Sequence, residues 1–237
     1  MMGALLLAYT LMVLVAAPVM AWRLAASGLL RMTPRTVIYR GGMTTSWLLA
    51  LAGTAVLWWE QDTSPAQVGL VGLPPVAGVA WSAGTLVFLL LGMGLFGLLL
   101  KFLRRGESPD ILHLIPRTRG ERWLFAGLAL TAGVTEEFIY RGIALTCLRR
   151  LPGLDGPWGP WLAAALVALA FGLGHGYQDA IGMLRAGVLG FVLAVPLLLS
   201  GSLLPGMAAH ALLDLALLAR SPASARRAAA TPQPDLP

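Results

Sequence analysis

Seven apolar runs, each near the length needed to cross a bilayer as a helix, constrain this chain more than any other feature. They fall near residues 3–22, 43–60, 77–101, 122–148, 158–177, 181–200 and 203–219. A bilayer core about 30 Å thick takes roughly 20 apolar helical residues, and inside it every backbone polar group needs an internal partner. Helices satisfy that need segment by segment. The expected fold is therefore all-α, a polytopic transmembrane helix bundle of about seven spans, within a range of six to eight. Composition agrees: 57% of the 237 residues are hydrophobic and 12% charged, with mean hydropathy +0.76, against roughly 25% charged in soluble domains.

The net charge of +6 comes almost wholly from arginines between the runs. Arg23, Arg31, Arg35 and Arg40 follow the first run, Lys101, Arg104, Arg105, Arg117, Arg119 and Arg122 follow the third, and Arg220, Arg226 and Arg227 lie in the tail. These are alternate sides of an odd-numbered bundle, so the positive-inside rule puts the N-terminus outside, the C-terminus inside and the loop with Glu60 and Asp62 outside. Arg149 and Arg150 depart from that pattern. Such charge reports membrane orientation and gives no reason to expect nucleic acid as a partner. The partners expected on this ground are membrane lipids.

Pro18, Pro74, Pro75, Pro152, Pro157, Pro160 and Pro205 lie at or near the proposed ends, while Pro196 lies within a run and predicts a kink or an early stop. Residues 1–119 read as N-terminal scaffold helices, 120–219 as the helical core that carries the chemistry, and 220–237 as a disordered tail rich in Ala, Pro and Arg. The single cysteine, Cys147, reads as a small core residue.

Ionisable residues within the runs fall in three clusters: Glu136 and Glu137 with Arg141; Phe171 with His175; and His210 with Asp214. Charge in a bilayer costs roughly 2.5–3.5 kcal/mol per residue, so these groups are expected to face one another. Glu136 and Glu137 point about 100° apart on a helix. Arg141, four residues after Glu137, is placed to neutralise it, which leaves Glu136 as the carboxylate available to act as a base. The bland alternative makes both glutamates structural ion-pair members. His210 and Asp214 share a helix face, and a carboxylate there either orients a structural histidine or fixes its tautomer for work on an oxyanion or a metal. His113, beside Asp110 in a basic connection, reads as an ordinary solvated residue. On straight helices Glu136 and His210 lie nearer the outer face than His175, so convergence requires tilting, a broken helix or a revised boundary.

Glu136-Glu137-x-x-x-Arg141, Phe171-x-x-x-His175 and His210-x-x-x-Asp214 resemble the three ordered motifs of the CPBP family, the CAAX-processing and bacteriocin-processing intramembrane endopeptidases also called Abi or Rce1-like. The resemblance implies an endopeptidase in which Glu136 and His175 activate water and His210 with the residue at 214 stabilises the oxyanion. Glu137 and Arg141 are then supporting residues. The family often has Asn at the last position, where this chain has Asp214, and an ionised Asp cannot donate to an oxyanion. Asp214 then either carries a proton, acts through His210 or helps to hold a metal. Two histidines and a carboxylate also make a plausible zinc set, with Glu136, His175 and His210 as the candidates; the metal-free reaction is preferred. The resemblance implies a membrane-associated protein or peptide substrate, with a CAAX-type, bacteriocin-type or C-terminal sorting signal, and a place in the bacterial cytoplasmic membrane. Two rival readings are a proton-coupled membrane transporter and a catalytically silent membrane partner or immunity protein.

Overall fold

The computed structural model describes residues 3–60, 63–154 and 156–219; Asp62 and the tail 220–237, with the expectations placed on them, lie outside the described residues. The chain is all-helical, with no strand among the described residues. Among the described residues the longer helices follow one another in chain order. Helix α1 is Ala4–Ala26, α2 Arg35–Glu60 and α3 Pro75–Phe102. A short α4, Pro109–Leu114, leads to α5, Arg119–Glu136, which continues through a π-helical stretch, Glu137–Ala144, to Leu148. Helices α6, Gly159–Leu173, α7, Asp179–Ser200, and α8, Leu204–Ala216, complete the order.

Local chemistry sets these limits. Ser108 caps α4 by accepting from the Ile111 N–H, and Thr118 with Glu121 forms a reciprocal capping box at the start of α5. Proline opens α3, α4, α6 and α8 within their first turn, where the missing N–H costs nothing. Two prolines behave differently from the simple reading. Pro18 sits inside α1, just after a widened π-helical turn, Met12–Ala16. Pro196 is carried within α7, which ends one turn later at Gly201 in the left-handed conformation (φ 74°).

Among the described residues three helices are long and apolar enough to cross a membrane, fewer than the seven spans expected: Ala4–Ala26, Pro75–Phe102 and Gly176–Ser200. Gly159–Leu173 and the stretch Leu204–Ala219 are apolar but shorter. Helix α3 shows the inverted character of a lipid-facing element, since only 17% of its apolar window is buried inside the protein, and Val76, Phe88 and Phe102 stand on its surface. Between helices the packing is carried by small residues that let backbones approach. A Cβ on Gly133 of α5 would lie 2.6 Å from the Ala211 nitrogen of α8, and one on Gly172 of α6 would lie 2.6 Å from the Met183 carbonyl of α7.

At one end of the bundle, the segment 103–118 is tied down from several sides. Arg31 Nε meets Asp110 Oδ1 at 2.7 Å, Tyr39 donates to the Leu114 carbonyl at 2.6 Å, and Ser108 Oγ donates to the Tyr177 carbonyl at 2.8 Å. Arg35 donates to the His113 carbonyl. His113 is thus a half-buried tether rather than a solvated side chain: its Nε2 donates to the Thr33 carbonyl at 3.1 Å.

Candidate active site

Glu136 and Glu137 are consecutive, and the turn between them sends the two carboxylates to different places. Glu136 is partly exposed to an internal cavity of about 450 Å³. Glu137 is wholly buried and does not line it. Its Oε1 accepts from Arg141 Nη1 at 2.9 Å and from His210 Nδ1 at 2.8 Å. Arg141, also 0% exposed, donates through Nη2 to the Gly190 carbonyl at 2.7 Å and lies 4.4 Å over the Phe171 ring. Burying this pair is tolerable because each charge has an opposite partner, although Arg141 Nε and Glu137 Oε2 make no hydrogen bond. Both groups sit in the π-helical stretch Glu137–Ala144, a distortion that recurs at functional sites.

Phe171 organises the other side. Its ring centroid lies 4.5 Å from His175, 6.2 Å from His210 and 5.1 Å from Tyr140. The motif spacing alone assigned it no such role. His175 follows the end of α6, where a short 3₁₀ turn, Gly176–Gln178, replaces the expected continuation to residue 177. Helix α6 has 15 residues, roughly 22 Å at about 1.5 Å per residue, which is shorter than the bilayer core. His175, just past that end, lines one cavity with Glu136 and His210. The turn closes on Asp179, whose backbone (φ 64°, ψ −177°) lies in a region that is essentially glycine's. The Asp179 carboxylate holds it there by accepting from the Ile181 and Gly182 N–H groups.

The hydrogen bonds fix the tautomers. His175 Nδ1 lies 2.7 Å from the Phe171 carbonyl, which only accepts, so Nδ1 carries hydrogen and Nε2 is left for the cavity. His210 Nδ1 likewise donates to Glu137. Asp214 is not the group that anchors His210: its Oδ2 is 3.7 Å from Nε2, beyond hydrogen-bond range. The cavity is lined by Glu136, His175, His210 and Asp214 together with Tyr177, Gln178 and Arg185. Its apolar walls include Ala21, Leu24, Ile38, Tyr39 and Met93, so the first three helices shape the site as well as supporting it.

Arg185 is the charged residue that the motif reading missed. It is 7% exposed in α7 and donates through Nη1 to both Glu107 oxygens at 3.0 and 3.2 Å. The signal was present in the sequence, since an arginine inside the run 181–200 meets the same criterion as the other clusters. Among the described residues no group of three or more His, Cys, Asp or Glu side chains is arranged to hold a metal. The candidates Glu136, His175 and His210 thus share the cavity without forming a ready zinc cage.

Residues 118–216 match the family described as type II CAAX prenyl endopeptidase Rce1-like. No curated protein and no solved structure matches the chain. The matched stretch contains all seven named residues of the three motifs and, with the membrane-capable helices, marks an integral membrane protein. The similarity to the Rce1-like domain of the CPBP family thus covers residues 118–216.

Proposed function

We propose that the protein is an intramembrane endopeptidase that hydrolyses a peptide bond of a membrane-associated protein or peptide with water activated by Glu136 and His175. The observation that carries this reading is the division of labour between adjacent glutamates: Glu137 is consumed by Arg141 and His210, while Glu136 faces the cavity. A water between Glu136 and the Nε2 of His175 meets two acceptors, which orient its lone pair toward a bound carbonyl. As the water oxygen bonds to the carbonyl carbon, its proton passes to Glu136 and the carbonyl π pair moves to oxygen. His210, in its protonated form, offers Nε2–H to that oxyanion, flanked by Glu137 and Asp214 and held in place by Glu137. Two carboxylates, Arg141 and an imidazolium sum to zero charge, which suits a water-poor interior. Collapse of the intermediate breaks the C–N bond, and Glu136 returns the proton to the leaving amine.

The apolar walls fit a lipidated or strongly apolar substrate segment, which favours a CAAX-type or membrane-anchored sorting signal over a polar peptide. The proposed bundle has seven spans, N-terminus outside and C-terminus inside, in the bacterial cytoplasmic membrane. Support comes from ion pairs that join the connection after α1 to the basic segment after α3, namely Arg31 with Asp110, and from Arg35 with Glu121 at 3.7 Å. Arg150 donates to Thr63 at the other end. Cleavage of a quenched, lipid-anchored peptide by purified protein in liposomes tests the activity. Wild type should release product and Glu136→Gln should not.

A further inference from the structure

Arg185 has no part in the steps above, yet it lies in the cavity that holds them. A guanidinium within a membrane-capable helix is costly unless it serves a site. Its fork is aimed by two partners. Nη2 reaches Gln178 Oε1 at 3.3 Å, and Nη1 holds the Glu107 carboxylate. Gln178 belongs to the turn that positions His175, and Glu107 belongs to the irregular connection between α3 and α4, not to a helix. The Glu107 side chain is 17% exposed against 9% for Arg185. The pair therefore joins a fixed cation on a helix to a carboxylate delivered by a connecting segment.

We infer that Arg185 is the receptor for the terminal carboxylate of the peptide substrate, and that Glu107 holds the seat which that carboxylate takes by exchange. The inference rests on the endopeptidase reading of the same cavity. Arg is the side chain best matched to a carboxylate, through a planar, bidentate fork. Glu107 presents to it the same chemical group that ends every peptide. Placement also fits: His175 and Arg185 line the same cavity, so a bond cut beside His175 would leave a short C-terminal fragment anchored on Arg185. Exchange with Glu107 makes binding depend on a free terminus and keeps the guanidinium paired throughout.

The test uses full-length protein in liposomes and one quenched peptide with a farnesylated cysteine near its C-terminus, prepared as the free acid and as the terminal amide. Wild type should cleave the acid with a KM about 10- to 100-fold below that of the amide, the range expected for one charged hydrogen-bonded contact. Arg185→Gln should raise KM for the acid to the amide's level and leave the amide unchanged. Glu107→Gln, which removes the competing carboxylate, should lower KM for the acid. The double variant Arg185→Gln with Glu107→Gln removes both charges of the pair together and guards against misfolding from breaking it on one side. It should fold as wild type does and show no preference. Binding of the same two peptides to Glu136→Gln protein, read by fluorescence anisotropy, separates this inference from the endopeptidase reading. Preference for the acid without cleavage by wild type would sink the reaction and keep the anchor. Equal binding of acid and amide, binding of neither, or an equal loss on both in Arg185→Gln would overturn the anchor.

Discussion

Replacing Glu137 by Gln keeps its shape and removes one negative charge from a place where nothing else can supply it. Glu137 and Arg141 are both 0% exposed, and the His210 side chain bonded to the same oxygen is 8% exposed. The amide oxygen can still accept, but Arg141 is left as an uncompensated buried cation, a defect that typically costs about 3–5 kcal/mol. For a chain of this length that corresponds to a fall of about 6–20 °C in Tm. Glu136→Gln touches a cavity wall and should stay within about 0.5 kcal/mol of wild type. Thermal unfolding of purified protein in detergent, followed by tryptophan fluorescence, reads both. Adding Arg141→Gln to Glu137→Gln should recover part of the loss, because removing a whole buried pair is far less damaging than breaking it. Equal Tm values for Glu136→Gln and Glu137→Gln would refute the division between a working and a structural glutamate.

Gly133→Ala should destabilise by about 1–3 kcal/mol and lower activity, because its methyl would meet the backbone of Ala211 and push α8, with His210, away from Glu137. Gly127→Ala on the same helix meets only the flexible Met43 sulfur at 3.4 Å and should stabilise by about 0.5–1 kcal/mol; the paired unfolding curves check both signs. Asp214→Asn should lower activity by about tenfold, since it removes one of the two carboxylates that balance the His210 imidazolium while its amide offers an N–H near the oxyanion, whereas Asp214→Ala should lose on the order of 100-fold in kcat. Full activity of the alanine variant would remove Asp214 from the site. Reporter fusions after Arg105 should read cytoplasmic and fusions near Thr63 the opposite side, and the reverse result would overturn the orientation.

Helices were legible because proline, capping residues and long apolar runs each act over a few neighbours. The separation of Glu136 from Glu137 was legible too, since it follows from helix geometry and the position of Arg141. What the sequence could not show is contact across long separations. His210 seemed to have its partner four residues away in Asp214, yet the hydrogen bond goes to Glu137, 73 residues earlier. Its cause is tertiary: close approach of α5 and α8 at Gly133 and Ala211 brings the two together. The meeting of His175 with Glu136 and His210 at one cavity is tertiary too, since the turn after α6 is held by Asp179 and by Ser108. Arg185 was visible as a charge in an apolar run, but its partner Glu107 lies in a connection with no pattern to mark it. The walls contributed by α1 to α3 carry no signal at all, since lipid-facing and cavity-facing leucines look alike in sequence.

The central claim is that Glu136 is the base of a hydrolytic site while Glu137 is its support. Purified wild type and Glu136→Gln, matched for Tm and reconstituted into liposomes, should be compared on a lipid-anchored peptide, with the new termini identified by mass spectrometry. The account predicts a single cut by wild type and a loss of at least about 1000-fold in the variant, the scale of removing a principal catalytic group. Cleavage by Glu136→Gln at a rate near that of wild type would contradict it.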